Sequence, residues 1–232
     1  MHTIVEYPSS QHQAEGLADE VAAQLAQSLA DKGRATLAVP GGTTPGAFLT
    51  ALSKAEIDWA HVSVLLTDER FVAEQDARSN MRLLRETLAR NAASAATFVS
   101  LYAPAEFPES VLGEIAQAVE AVLPIDVCVL GMGADMHIAS LFPEGDRLSE
   151  ALANDCASVL LPMRAKGAIE PRLTLTAPVL EAARHLHLLI RGAEKVEAIS
   201  RATAEPSLEN APVKLLLERP NLTIHIADGE LT

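Results

Sequence analysis

The chain alternates between two periodicities. Leu17, Val21, Leu25 and Leu29 recur at helical spacing in SSQHQAEGLADEVAAQLAQSLADKG, which predicts a long helix stopped at Gly33. The short apolar run ATLAV then predicts a strand, and TPGAFLTALSK a helix with Thr44 as N-cap and Pro45 as its first residue. VSVLLTDER reads as a strand running into a loop, SNMRLLRETLARNA as a helix capped by Ser79, and PESVLGEIAQAVEAVL as a further helix. IDVCVLG, RLTLT and HLHLLIRG read as strands, with APVLEAARH and AEKVEAISRAT as the helices that follow the last two. PVKLLLER and NLTIHIAD close the chain as helix and strand.

Strands alternating with helices predict an α/β fold: an open, doubly wound, mostly parallel sheet with helices on both faces. The 232 residues suit one domain, 1–232, and the irregular segment around 143–171 is read as a lid or side lobe. Composition supports a layered fold. Hydrophobic residues make up 49% of the chain and aromatics only 3%, so the core has to be aliphatic.

Charge narrows the partners. Eighteen basic residues face thirty-one acidic ones, a net charge of −13 with no basic run, so no nucleic-acid partner is expected. No apolar run is long enough to span a bilayer, so no membrane partner is expected either. MHTIVEYPSS lacks the basic segment and apolar core of a signal peptide. Cys128 and Cys156 show neither pairing nor metal spacing, and Cys128 reads as a buried thiol, which together suggest a reducing cytoplasm. A monomer or weak homo-oligomer is expected.

The chemistry collects in four polar clusters, each after a predicted strand: PGGTTP, TDERF, GMGADMH and RGAEK. Ligands of open α/β sheets bind outside the carboxyl ends of the strands, so clusters far apart in sequence can share one crevice. Gly41 and Gly42 allow close backbone approach, Thr43 and Thr44 add hydroxyls, and the following helix N-terminus favours an anion such as phosphate. No Gly-Lys-Ser/Thr ending is present, so the loop is not a P-loop. Asp68 suits a sugar hydroxyl or a proton transfer, and Arg70 an anion held by paired N–H donors. GMGADM lacks the third glycine of a dinucleotide loop, with Met136 in its place. His137 is the only histidine in the four clusters, and an imidazole titrates near neutral pH as a general base requires. His185 and His187 alternate on a strand, which is no metal signature. Lys195 stands at a helix start.

In order, PGGTTP, TDERFV…SN, GMGADMHIASLFPE, RLTLT and GAEK resemble the 6-phosphogluconolactonases over almost the whole chain. The histidine loop of that family usually reads G-x-G-x-D-G-H-T-A-S-L-F-P. Met136 replaces its glycine and Ile138 its threonine, while Asp135, His137, Ala139 and Ser140 match. The resemblance implies a Rossmann-like fold shared with glucosamine-6-phosphate deaminases and ribose-5-phosphate isomerases. It implies hydrolysis of 6-phospho-D-glucono-1,5-lactone to 6-phosphogluconate in the oxidative pentose phosphate pathway, with no metal and no organic cofactor. His137 then corresponds to the general base. Asp68 joins it, and Gly41, Gly42, Thr43, Thr44, Arg70, Asp135, Arg172 and Lys195 bind substrate. Met136 is expected to turn away from the ligand, into the apolar side of the loop. Two rivals remain: a deaminase on the same fold, whose loop is closer to HIA but continues toward Asn-Glu-Pro rather than SLFPE, and a non-catalytic sugar-phosphate sensor.

Overall fold

The computed structural model describes residues 2–227. In chain order the strands are β1 (Thr3–Tyr7), β2 (Ala35–Val39), β3 (Val62–Leu66), β4 (Asp68–Arg70), β5 (Thr97–Val99), β6 (Val127–Gly131), β7 (Leu160–Met163), β8 (Arg172–Leu175), β9 (His185–Arg191) and β10 (Leu222–Ala227). The helices are α1 (Ser10–Lys32), α2 (Gly46–Leu52), α3 (Asn80–Thr87), α4 (Leu112–Glu120), α5 (Leu148–Leu152), α6 (Ala177–Glu181), α7 (Ala193–Ala204) and α8 (Lys214–Leu217).

Seven strands form a parallel sheet in the order β1-β10-β9-β6-β2-β3-β5. From β2 the chain moves outward through β3 to β5. It then returns to β6 on the other side of β2 and moves the opposite way through β9 and β10. Right-handed crossovers running in opposite directions place their helices on opposite faces of the sheet. The reversal between β2 and β6 opens a crevice at the carboxyl ends of those two strands. β2 is buried at every residue, as a central parallel strand requires, and the core is aliphatic apart from a few large rings such as Trp59 and Phe48.

Three expectations are corrected. Asp68–Arg70 is not a loop but a strand, paired antiparallel with β8, which in turn pairs with β7 in a separate three-stranded sheet. The segment around 143–171 is not wholly irregular, because it carries α5 and β7. Pro162 masks β7 in the sequence and is tolerated because β7 is an edge strand. Thr44 does not cap α2. The helix begins at Gly46 with Pro45 in the cap position and no side-chain cap bond, which leaves the Thr44 side chain to the crevice. By contrast, Ser79 caps α3, its hydroxyl accepting from Arg82 N–H, and Gly33 ends α1 in the left-handed conformation. Asp228, placed at the end of the last strand by its pattern, lies outside the described residues. Among the described residues no helix is long and apolar enough to cross a membrane.

Candidate active site

The four polar clusters follow β2, β3, β6 and β9, which are neighbours at the centre of the sheet. They meet in a cleft of about 350 Å³, within the range of roughly 300–1,000 Å³ usual for small-ligand sites. Nine of the ten residues expected at the site line it: Gly41, Gly42, Thr43, Thr44, Asp68, Arg70, His137, Arg172 and Lys195. Asp135 does not.

Asp135 instead holds the histidine. Its Oδ1 lies 2.5 Å from His137 Nδ1. A carboxylate there accepts the Nδ1 proton, which leaves the Nε2 lone pair for the cleft, the tautomer a general base needs. Burial pushes the Asp135 pKa up, but the hydrogen bond and charge of His137 outweigh this and leave it below the usual carboxylate range. The loop that presents the pair is a tight clasp. Gly133 N–H donates to His137 O at 2.9 Å, and Met132 and Ile138 form an isolated bridge at its base. Gly133 has no room for a side chain, since a Cβ would stand 2.3 Å from both Asp135 Oδ1 and His137 Nδ1. Ile138, which replaces the polar threonine, is fully buried in the core.

Met136 adopts φ 68°, the left-handed conformation that a glycine takes without strain. It is absent from the cleft lining and packs against the core, while its carbonyl accepts from Val213 N–H at 3.0 Å. Met136→Gly should relieve about 1 kcal/mol of backbone strain and lose a similar amount in packing and unfolded-state entropy. Thermal unfolding should therefore move by only about 1 kcal/mol, with kcat within about threefold of native. A tenfold rise in kcat would show that Met136 distorts the base after all.

The cations of the cleft are arranged for an anion. β4 and β8 pair Arg70 directly with Arg172, two like charges in register. Burial and then the neighbouring Arg70 charge push the Arg172 pKa down, and burial does the same to Lys195. None of the three is in an ion pair among the described residues, in a chain with a large acidic excess. The Nε atoms of both arginines are buried with no hydrogen-bond partner. Groups of that kind are rare in folded proteins.

Other residues of the site escaped the sequence reading. The Asn80 amide donates to Asp68 O at 2.9 Å and fills the space beside Gly41, where any Cβ would collide with it at 2.0 Å. The Ser140 hydroxyl donates to Asp68 Oδ2 at 2.5 Å and fixes that carboxylate. Glu69, fully buried, accepts from the N–H groups of Arg70, Asn80 and Met81 and from the Ser79 hydroxyl. Burial pushes its pKa up, against the pull of those four donors. The Phe142 ring packs 4.5 Å from the His137 ring, with the Arg172 guanidinium 5.8 Å from its centroid. The SN and SLFP segments were visible in the sequence, but nothing in their spacing assigns Asn80 or Phe142 a position.

Residues 8–224 match the family of glucosamine-6-phosphate isomerases/6-phosphogluconolactonase. This chain belongs to that family. It is 46% identical over 221 residues to a 6-phosphogluconolactonase of Rhizobium meliloti (strain 1021), covering 94% of both chains. It is similar to the crystal structure of a 6-phosphogluconolactonase from Shewanella baltica OS155, with a TM-score of 0.94, 29% identity, and coverage of 99% of this chain and 98% of that one. A monomeric glucosamine-6-phosphate deaminase of the NagB superfamily shares the fold at a TM-score of 0.76, with 17% identity over 97% of each chain. At that identity the likeness extends to the architecture alone. The fold class expected from the alternating pattern, and the family expected from the ordered motifs, both hold.

Proposed function

We infer that this protein hydrolyses 6-phospho-D-glucono-1,5-lactone to 6-phospho-D-gluconate. The observation that carries the reading is the juxtaposition in one cleft of a carboxylate-oriented imidazole and three cations, Arg70, Arg172 and Lys195. The Rhizobium and Shewanella relatives, named for the same activity, support it.

Arg70, Arg172, Lys195 and the Gly41–Thr44 loop hold the phosphate. Asp68, held by Ser140, accepts from a sugar hydroxyl. His137 Nε2 takes a proton from water, and the resulting hydroxide adds to the lactone carbonyl. The oxyanion of the tetrahedral intermediate is stabilised by backbone N–H donors of the cleft. Collapse of the intermediate breaks the bond to the ring oxygen, which takes the proton back from the imidazolium. Asp135 positions the imidazole throughout. The lobe around 143–171 is tied to the β4–α3 connection by the Arg78–Glu170 ion pair.

The test couples product to a 6-phosphogluconate dehydrogenase, with the spontaneous hydrolysis rate subtracted. Native protein should turn over the phosphorylated lactone and act far less on unphosphorylated gluconolactone. Arg70→Ala should chiefly raise KM, by about 10- to 150-fold, the equivalent of one charged hydrogen bond of about 1.5–3 kcal/mol. Equal activity on the two lactones would sink the phosphate assignment. Release of ammonia from glucosamine 6-phosphate would favour the deaminase reading, and binding without turnover the sensor.

A further inference from the structure

A second polar cluster lies outside the cleft, buried between α1 and the sheet. His187 on β9 and His225 on β10 are 1% and 0% exposed. Their facing nitrogens, His187 Nδ1 and His225 Nε2, are 3.0 Å apart. Glu20 reaches them from α1, with one oxygen 4.0 Å from His187 Nδ1 and the other 3.8 Å from His225 Nε2. These three donor atoms converge on one point, although the residues are far apart in sequence.

We propose that Glu20, His187 and His225 form a binding site for a divalent transition cation of the zinc class, which ties α1 to the two strands. Ligand atoms of a tetrahedral zinc site lie about 2.0–2.2 Å from the metal, and therefore about 3.3–3.5 Å from one another. The nitrogen–nitrogen separation falls short of that spacing and the distance from each ring nitrogen to its facing Glu20 oxygen exceeds it, so a shift of about half an ångström at each ligand, with one carboxylate oxygen turned to the metal, suffices. The outward-facing ring nitrogens are already braced. Gln24 Oε1 lies 2.8 Å from His187 Nε2, and the Tyr7 hydroxyl 2.9 Å from His225 Nδ1. Oxygen acceptors on the far nitrogens are what metal-bound histidines need, because they fix the tautomer that turns a lone pair inward. A shared proton on the nitrogen–nitrogen axis has only to move to His225 Nδ1, where the Tyr7 oxygen can accept it. Glu20 is half-buried, so the site is reached from solvent along its carboxylate, and water can complete the fourth position. Imidazole and carboxylate donors suit zinc better than calcium or magnesium.

The site is distinct from the catalytic cleft, and the experiment keeps the two apart. Full-length protein stripped with chelator is titrated with zinc chloride by calorimetry, and its Tm is followed in parallel. Native protein should take up one zinc per chain at this site and gain about 5–10 °C in Tm at a hundredfold excess over Kd. Glu20→Gln, a change at a half-exposed position that the fold tolerates, should weaken this binding by tenfold or more while leaving lactonase activity unchanged. Tyr7→Phe should weaken it by about 10–100-fold through loss of the bracing hydroxyl. His137→Asn should leave it intact. Absence of zinc uptake, uptake undiminished in Glu20→Gln, or uptake lost instead in His137→Asn would overturn the proposal. The first two outcomes would leave the histidines as a hydrogen-bonded pair only, and the third would assign the metal to the cleft.

Discussion

His137→Asn should lower kcat by about 10²–10⁴-fold, the usual cost of losing a positioned base, while KM changes little. Asparagine keeps a polar side chain of similar size but cannot take a proton from water near neutral pH. Arg70, Arg172, Lys195 and the Gly41–Thr44 loop do not touch the substituted group, so ground-state binding of the phosphate survives. Asp135 loses its partner, but its side chain is more than half exposed and water replaces the imidazole. The fold should therefore persist. The lactone also hydrolyses unaided, so the uncatalysed rate is subtracted. A corrected kcat within about threefold of native, in a variant with unchanged circular dichroism, would place the base elsewhere, with Asp68 the first candidate.

Glu69→Ala should destabilise the protein by about 3–5 kcal/mol, the scale seen when a buried, hydrogen-bonded charge is removed and its partners stay behind. Four donors converge on this carboxylate, at 2.7 to 3.1 Å, from Arg70, Ser79, Asn80 and Met81. Alanine leaves all four unpaired and three of them buried, at about 1–3 kcal/mol for each buried donor before relaxation. Glu69→Gln should be only partly better. Its NH₂ necessarily faces donors on one side, whichever way the amide is turned. The loss has a functional consequence as well. The Glu69 carboxylate joins β4 to the start of α3, and this holds Arg70 opposite Arg172 and Asn80 beside Gly41. The folded fraction of either variant should show a raised KM. Urea denaturation measures the first effect and steady-state kinetics the second. A stability loss below about 1 kcal/mol in Glu69→Ala would mean that water or rearranged side chains satisfy the four donors.

The residues differ in how far the sequence alone reveals them, and the difference follows from what each kind of signal encodes. Central strands are buried on both faces, so β2, β3, β6 and β9 appear as continuous apolar runs and their ends can be located from the pattern. The four strands that the pattern misses, β1, β4, β5 and β7, are all edges of their sheets. β1 is exposed or half-exposed at every residue, β5 is only three residues long, and β7 contains a proline, so none carries the apolar run that marks an interior strand. Asp68–Arg70 looked like the polar end of β3 because its partner, β8, lies a hundred residues away and no local feature announces an antiparallel pairing.

The same division runs through the site. Residues that line the cleft are concentrated in polar clusters after strands, where the sequence expects them, and the convergence of those clusters follows from parallel strands sharing one edge. Residues that hold the site together have no such mark. Asp135 carries the chemistry of a ligand contact and only its approach to His137 makes it the brace of the base. Glu69 looked like one more charge at a strand end, yet tertiary structure buries it among four donors. Glu20, His187 and His225 are ordinary residues of a helix and two strands until β9 and β10 pair and α1 covers them. Periodicity and cluster position reflect each segment's own exposure to core or solvent, and this chain's sequence determined its architecture, its family and the sheet edge at which the polar clusters meet. Hydrogen-bond partners between distant segments depend on register and on crossing geometry, and those only the folded chain decided.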